Sequence, residues 1–142
     1  MTDDPVITCK NTLTGDISEV HYNVDLNQNG SFGDAGDTYK GQYDFYILTS
    51  SFSFSCANAF PTFAKAGGMA KIIGEQSGGG ACAVGGFATA SGNIIRSSSC
   101  WQFGTYSGST WTDNDGGVPV DYAFPATSFY DDAAIAAFVN SH

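Results

Sequence analysis

The sequence has 142 residues and 42% hydrophobic content, enough for one folded unit with a real core, and its 18 Gly against only 13% charged residues exclude a coiled coil and argue for strands joined by tight turns. A formal charge of −9 repels polyanions, which argues against nucleic acid as a partner. No apolar run reaches the roughly 20 residues that cross a bilayer.

Met1 leads straight into the polar Thr2-Asp3-Asp4-Pro5, without the basic and apolar regions of a signal peptide, which fits a piece of a longer protein as well as a complete one. Residues Glu19 to Asp25 (EVHYNVD) alternate apolar and polar side chains, the pattern of a half-buried strand, and run into an Asp-, Asn- and Gly-rich loop from Leu26 to Thr38. There Asp25, Asn27 and Asn29, followed by Gly30, reproduce the first half of a calcium loop, in which oxygens at alternate positions wrap the ion and Gly permits the sharp turn. The place where an EF-hand needs a bidentate Glu holds Gly36. Two readings stand: a looser calcium site built from Asp25, Asn27, Asn29, Asp34 and Asp37, and a solvated turn held by Asx hydrogen bonds.

Tyr43 to Ser50 (YDFYILTS) has the aromatic and β-branched composition of a buried strand. Ser55 to Ala66 (SCANAFPTFAKA) then places Phe60, Phe63 and Ala64 at helical spacing, with Gly67-Gly68 as the stop, which predicts a short helix with Pro61 early in it or bending it. Met69 to Gly74 (MAKIIG) has the length of a strand, so the order is strand, Ser-led helix, strand: a βαβ unit. The glycines of GEQSGGGACAVGGFAT turn tightly into a small-residue strand, and Asn93 to Ser97 and Trp101 to Gly104 read as further strands of a mixed sheet. In the tail, Asp131 or Asp132 offers an N-cap and Ile135, Phe138 and Val139 form an apolar stripe, so the chain ends in an amphipathic helix. No internal repeat or linker divides it.

Ser55, between a buried strand and a helix, has its hydroxyl near the positive end of the helix dipole, where backbone N–H groups can hold an oxyanion. The bland reading is a Ser that caps the helix. The segment YILTSSFSFSCANAFPTFAKAGGMAKIIGEQSGGG closely resembles the nucleophile region of the C-terminal-processing and tricorn-type serine peptidases: a strand enters a small-residue Ser motif, a helix follows, and the next strand ends in Gly-Glu and a Gly-rich turn. TDNDGGVPVDYAF looks like the same family's acidic stretch and Gly-Val-x-Pro-Asp segment, although here Pro119 and Asp121 are separated by Val120. The two segments and what lies between them cover most of the chain after Tyr43.

The resemblance implies a crotonase-like α/β fold, with a nucleophile helix and a C-terminal helix, and hydrolysis of peptide bonds through a serine acyl-enzyme. It makes Ser55 the nucleophile and the N–H of Cys56 an oxyanion donor. One branch of the family takes its base from a Lys in the Gly-rich turn, where this chain has SGGGA; Lys65 and Lys71 lie elsewhere in the pattern. The other branch uses a His from earlier in the domain, oriented through an acidic residue that matches Asp113 best, with Asp115 a competitor and Glu more usual. The two histidines, His21 and His142, match no base motif. The upstream strand turn that supplies a second oxyanion donor also precedes this chain, which is thereby the C-terminal half of a catalytic domain, inactive alone.

Cys9, Cys56, Cys82 and Cys100 have no CxxC spacing and no neighbouring His, which argues against zinc. In the resembled fold Cys56 and Cys82 both border the active site. A Cys56–Cys82 disulfide and two buried, inert thiols are the competing readings there. A polypeptide substrate and no required cofactor, calcium aside, complete the expectation. Low charge and paired cysteines fit an exported protein, extracellular or in a bacterial cell envelope. A half-domain exposes apolar surface, which predicts self-association or cover by the missing N-terminal half. The rivals from other classes are a non-catalytic relative that binds peptide termini and a secreted calcium-dependent module.

Overall fold

A computed structural model describes residues 6–38 and 41–142; the polar start, Thr2 to Pro5, lies outside the described residues. Strand β1 (Val6–Asn11) pairs antiparallel with β2 (Ile17–His21). Their turn is closed by Asn11, whose Oδ1 accepts from the N–H of Leu13 at 2.9 Å and of Thr14 at 3.3 Å, and by Gly15 at φ 83°. These Asx bonds start the second strand two residues earlier than apolar alternation alone indicates, and it ends four residues earlier. The strand expected at Glu19 to Asp25 accordingly runs from Ile17 to His21, and Asp25 belongs to the loop.

The predicted βαβ unit is present. Strand β3 (Tyr46–Thr49), helix α1 (Cys56–Ala66) and strand β4 (Lys71–Gly74) follow in order, with β3 and β4 parallel and Tyr46 opposite Lys71. Helix α1 continues through Pro61, which is buried within it. After the Gly-rich turn, β5 (Cys82–Ala88) pairs antiparallel with β6 (Ile94–Ser107), and β7 (Thr110–Asp113) folds back on the end of β6. Asn93 to Ser97 and Trp101 to Gly104 are therefore parts of one 14-residue strand. The Ser97-Ser98-Ser99 run does not interrupt it, because β5 supplies ladder partners for Ser97 and Ser98.

The parallel and antiparallel strands do not share one mixed sheet. They form an antiparallel five-stranded sheet, in the order β2-β1-β6-β5 with β7 also on β6, and a parallel three-stranded sheet, β3-β4-β8, where β8 is Tyr122–Ala123. Helix α1 packs against both β4 and β6; the Phe63 ring meets Phe103 edge-on at 6.1 Å. Ile72 and Ile73 of β4 are fully buried at the centre. Helix α2 (Asp132–Val139) is capped by Asp131, whose carboxylate accepts from the Ala134 N–H at 3.0 Å, and its Phe138 packs on Tyr122 and Phe124.

Candidate active site

Parallel strands deliver their loops to one edge, and the candidate site lies beyond the C-terminal ends of β3 and β4. Thr49 locks these ends together: its hydroxyl donates to the Glu75 carbonyl at 2.7 Å, and the Glu75 N–H donates to the Thr49 carbonyl at 2.9 Å. The chain then loops through Ser50 to Phe54 and enters α1 at Ser55. The Ser55 N–H donates to the Gly79 carbonyl at 2.9 Å, and the Gly78 N–H donates to Ser53 at 2.9 Å.

Ser55 has φ 59° and ψ −119°, a backbone conformation that L-residues avoid at a cost of about 1–3 kcal/mol. Its hydroxyl makes no capping hydrogen bond, and the residue is exposed. A Ser retained to cap a helix adopts an extended backbone and spends its oxygen on the first-turn N–H groups. Ser55 does neither. The Asn58 and Ala59 N–H groups go instead to the Ser55 carbonyl, at 2.9 and 2.8 Å, while the Cys56 N–H forms no hydrogen bond among the described residues. An exposed hydroxyl therefore sits on a strained strand-to-helix turn beside an unspent backbone donor, the arrangement that acyl transfer requires.

The Gly-rich turn is glycine because three backbones converge there. A Cβ at Gly79, which has φ 85°, would strike the Asp115 carbonyl oxygen; one at Gly78 would strike Ser51; one at Gly80 would meet the Phe54 ring at 2.8 Å. The acidic segment is held against this turn by its own side chains. Asp113 Oδ1 accepts from the Asp115 N–H at 3.0 Å, and Asp115 Oδ1 accepts from the Ala81 N–H at 3.1 Å. Asp113, the residue matched to base orientation, thus braces its own turn, and Asp115 ties that turn to the exit of the Gly-rich loop.

The two lysines are engaged elsewhere. Lys65 Nζ lies 2.8 Å from Asp121 and donates to the Pro119 carbonyl at 2.7 Å, and Asp121 also accepts from the Ile72 N–H at 2.8 Å. Burial pushes the Asp121 carboxyl up, but the Ile72 N–H and the hydrogen bond and charge of Lys65 outweigh it and hold the pKa below its ordinary 3.8. Lys71 stands over the Tyr46 and Tyr122 rings at the opposite end of β4 from the Gly-rich turn. His142 is at that same far end, its carbonyl 3.4 Å from Lys71 Nζ and its ring stacked on Phe138. His21 is on the outer strand β2, with Nε2 3.8 Å from Glu19.

All four cysteines are free, so the Cys56–Cys82 bridge is not formed; Cys56 is exposed and Cys82 half-buried. The Asp25 to Asp37 loop closes on itself. Asp25 accepts from the Asn29 and Gly30 N–H groups, Asp37 from Leu26 and Asp34, and Asp34 from the Asn29 and Asn27 side chains and the Gly36 N–H. The Asn29 hydrogen bond, followed by that of Gly36, holds the Asp34 carboxyl below its usual range. A cavity of about 560 Å³ lies between this loop and α1, walled by Cys56, Ala59, Phe60 and Phe63 of α1, Ile7 of β1 and Phe103 of β6.

Asn58 and Ser77 were not anticipated as site residues. Both are buried, one turn into α1 and just before the Gly-rich turn, and Ser77 Oγ donates to Asn58 Oδ1 at 2.6 Å. An Asn in the first turn of the helix was the available signal, since its side chain competes with helical hydrogen bonds unless it has another partner.

The family model described as peptidase family S41 matches residues 3–123. No curated protein matches the chain. Among solved structures, one described as mature CPAF complexed with lactacystin is similar at 21% identity and a TM-score of 0.46, over 68% of this chain and 19% of that one. The chain thus spans about a fifth of that structure's length.

Proposed function

Because the chain belongs to peptidase family S41, we propose that it is the nucleophile-bearing part of a serine endopeptidase of the C-terminal-processing type, acting on polypeptides through Ser55. One observation carries this reading: Ser55 holds an exposed, uncapped hydroxyl on a positive-φ backbone at the start of α1. The Ser55 oxygen attacks the scissile carbonyl as its proton passes to a general base. The C–O bond forms, the oxyanion accepts a hydrogen bond from the Cys56 N–H, and collapse breaks the C–N bond as the leaving amine takes up the proton from the base. Water then releases the acyl group by the same route reversed. On this reading the base comes from outside these 142 residues: Lys65 pairs with Asp121, Lys71 stands over the Tyr46 and Tyr122 rings, His21 is on the outer strand beside Glu19, and His142 lies against the Phe138 carbonyl and the Lys71 ammonium.

On this reading the complete catalytic domain is crotonase-like, the protein is exported to the cell envelope or beyond, and the chemistry needs no cofactor. The cavity beside Cys56 and Ala59 receives an apolar side chain of the substrate. The part of the domain that supplies the base, or a second copy, covers exposed apolar side chains such as Phe52, Val84 and Ile94. The test is hydrolysis of an unstructured polypeptide by the chain joined to its base-supplying segment. Turnover that falls by at least about 10³-fold in Ser55→Ala supports the reading; turnover that survives the substitution, or tight peptide binding with no turnover, replaces it with a different nucleophile or a binding module.

A further inference from the structure

Asn58 is wholly buried, one helical turn after Ser55, and each arm of its carboxamide reaches a different segment of the site. Its Nδ2 donates to the Asn114 carbonyl at 2.7 Å, in the acidic segment. Its Oδ1 accepts from Ser77 Oγ at 2.6 Å, at the entry to the Gly-rich turn, and Ser77 Oγ in turn accepts the Val118 N–H at 2.7 Å. The assignment is fixed by chemistry: a backbone carbonyl only accepts, so the amide nitrogen must face Asn114. The backbone of Asn58 is tied in as well, because its N–H reaches the Ser55 carbonyl at 2.9 Å and its carbonyl accepts the Thr62 hydroxyl at 2.7 Å.

We infer that Asn58 is a positioning residue for Ser55: its carboxamide pins the nucleophile helix to the Gly-rich turn and the acidic segment together, and so holds the strained Ser55 backbone against Gly79. This rests on the reading of Ser55 as nucleophile only for its catalytic consequence; the pinning itself is a property of the structure. A strained backbone persists only where its surroundings over-determine it, and among the described residues Ser55 has a single backbone tie of its own across the site, to Gly79. The remaining constraint comes through α1, and Asn58 is the residue of the helix's first turn that spends both side-chain atoms on other segments. The adjacent Asn114 is 3% exposed and its carboxamide has no hydrogen-bond partner among the described residues; its backbone is held by Asn58 Nδ2 at its carbonyl, together with the Gly117 N–H at 3.1 Å on the same carbonyl and its own N–H to the Phe103 carbonyl at 3.2 Å, and the Asn58 bond is the one of these that reaches α1.

The test reads the Ser55 N–H by hydrogen exchange in the chain as it stands, next to fluorophosphonate labelling of the chain joined to its base-supplying segment. In Asn58→Ala the Ser55 protection factor falls at least tenfold while the amides of β1 and β2 keep theirs, and labelling slows by a similar factor. Asn58→Asp separates positioning from mere folding. Its carboxylate sets acceptor against acceptor at Asn114, whereas its neutral carboxyl donates there, so Ser55 protection and labelling recover as pH falls through that group's pKa, with no such recovery in Asn58→Ala. Unchanged Ser55 protection in Asn58→Ala, an equal loss in β1 and β2, or an Asn58→Asp profile without acid recovery overturns the inference. Loss of protection in Asn58→Ala with no labelling of the wild type upholds the pinning and rejects the nucleophile.

Discussion

The N–H of Ser55 donates to the carbonyl of Gly79 at 2.9 Å, and Gly79 is itself pressed against the carbonyl of Asp115 with no room for a side chain. The Ser55 turn, the Gly-rich turn and the acidic segment therefore meet at one glycine. The position of the Ser55 backbone is set by how closely two other chain segments approach.

Gly79→Ala tests that approach against Gly92→Ala. Both glycines have φ near 85°, 85° and 84°, but nothing lies within 4 Å of a Cβ at Gly92. The Gly92 variant loses about 1–2 kcal/mol, the cost of a left-handed L-residue. The Gly79 variant loses at least a further ~1–3 kcal/mol from overpacking and shifts the Ser55 turn. Urea unfolding of the pair measures the difference; equal losses contradict the close approach.

Asp121 gives an acid-sensitive contribution to stability. Its folded pKa lies below 3.8, so the unfolded state binds more protons in the interval between the two values. The contribution is complete above the unfolded value and is lost as pH falls through the folded one. Acid unfolding of Asp121→Asn, compared with wild type, shows a shallower loss below about pH 4. Lys65→Met removes the partner charge and weakens the same dependence, yet it leaves the reactivity of Ser55 intact, because Lys65 is bound to Asp121 and Pro119. Abolished reactivity in a folded Lys65→Met variant makes Lys65 the base after all.

Filling the cavity beside α1 separates substrate choice from chemistry. Ala59→Trp places a large ring in the cavity of about 560 Å³ and lowers kcat/KM for substrates with bulky apolar side chains by about 10–100-fold, with less effect on those carrying Ala or Gly. An equal fall for both classes counts against the cavity as the specificity pocket.

Calcium titration decides the acidic loop. With the Asp25, Asp34 and Asp37 carboxylates already accepting from the chain's own donors, millimolar calcium leaves the thermal midpoint within about 1 °C of its starting value. A site of roughly 10 μM affinity would add about 2.7 kcal/mol at 1 mM, a shift of several degrees.

The βαβ unit and the place of Ser55 were legible because strand composition, helical spacing and glycine punctuation agree from Tyr43 to Gly80. Strand β6 reads as two pieces because the residues between them, Ser98, Ser99 and Cys100, carry no alternating apolar pattern, which the ladder to β5 on either side overrides. The segregation into two sheets depends on pairing partners far apart in sequence, such as Lys10 with Gln102, that no local pattern encodes. At the site, the residues alone fit a helix cap at Ser55 as well as a nucleophile, and it is the family resemblance that points to Ser55 and Cys56; the backbone strain that sets Ser55 apart from an ordinary cap exists only in three dimensions. Asn58 and Ser77 escaped notice for the same reason: a buried polar residue declares its role through its partner, and here that partner lies 19 positions away.

The central claim is that Ser55 is the nucleophile, and covalent capture addresses it most directly. The chain joined to its base-supplying segment is exposed to a fluorophosphonate and the modified peptide is mapped by mass spectrometry, with Ser55→Ala and the 142-residue chain alone as companions. The predicted result is one adduct, on Ser55, in the joined protein only. An adduct on another residue, or none in any folded form, contradicts the account.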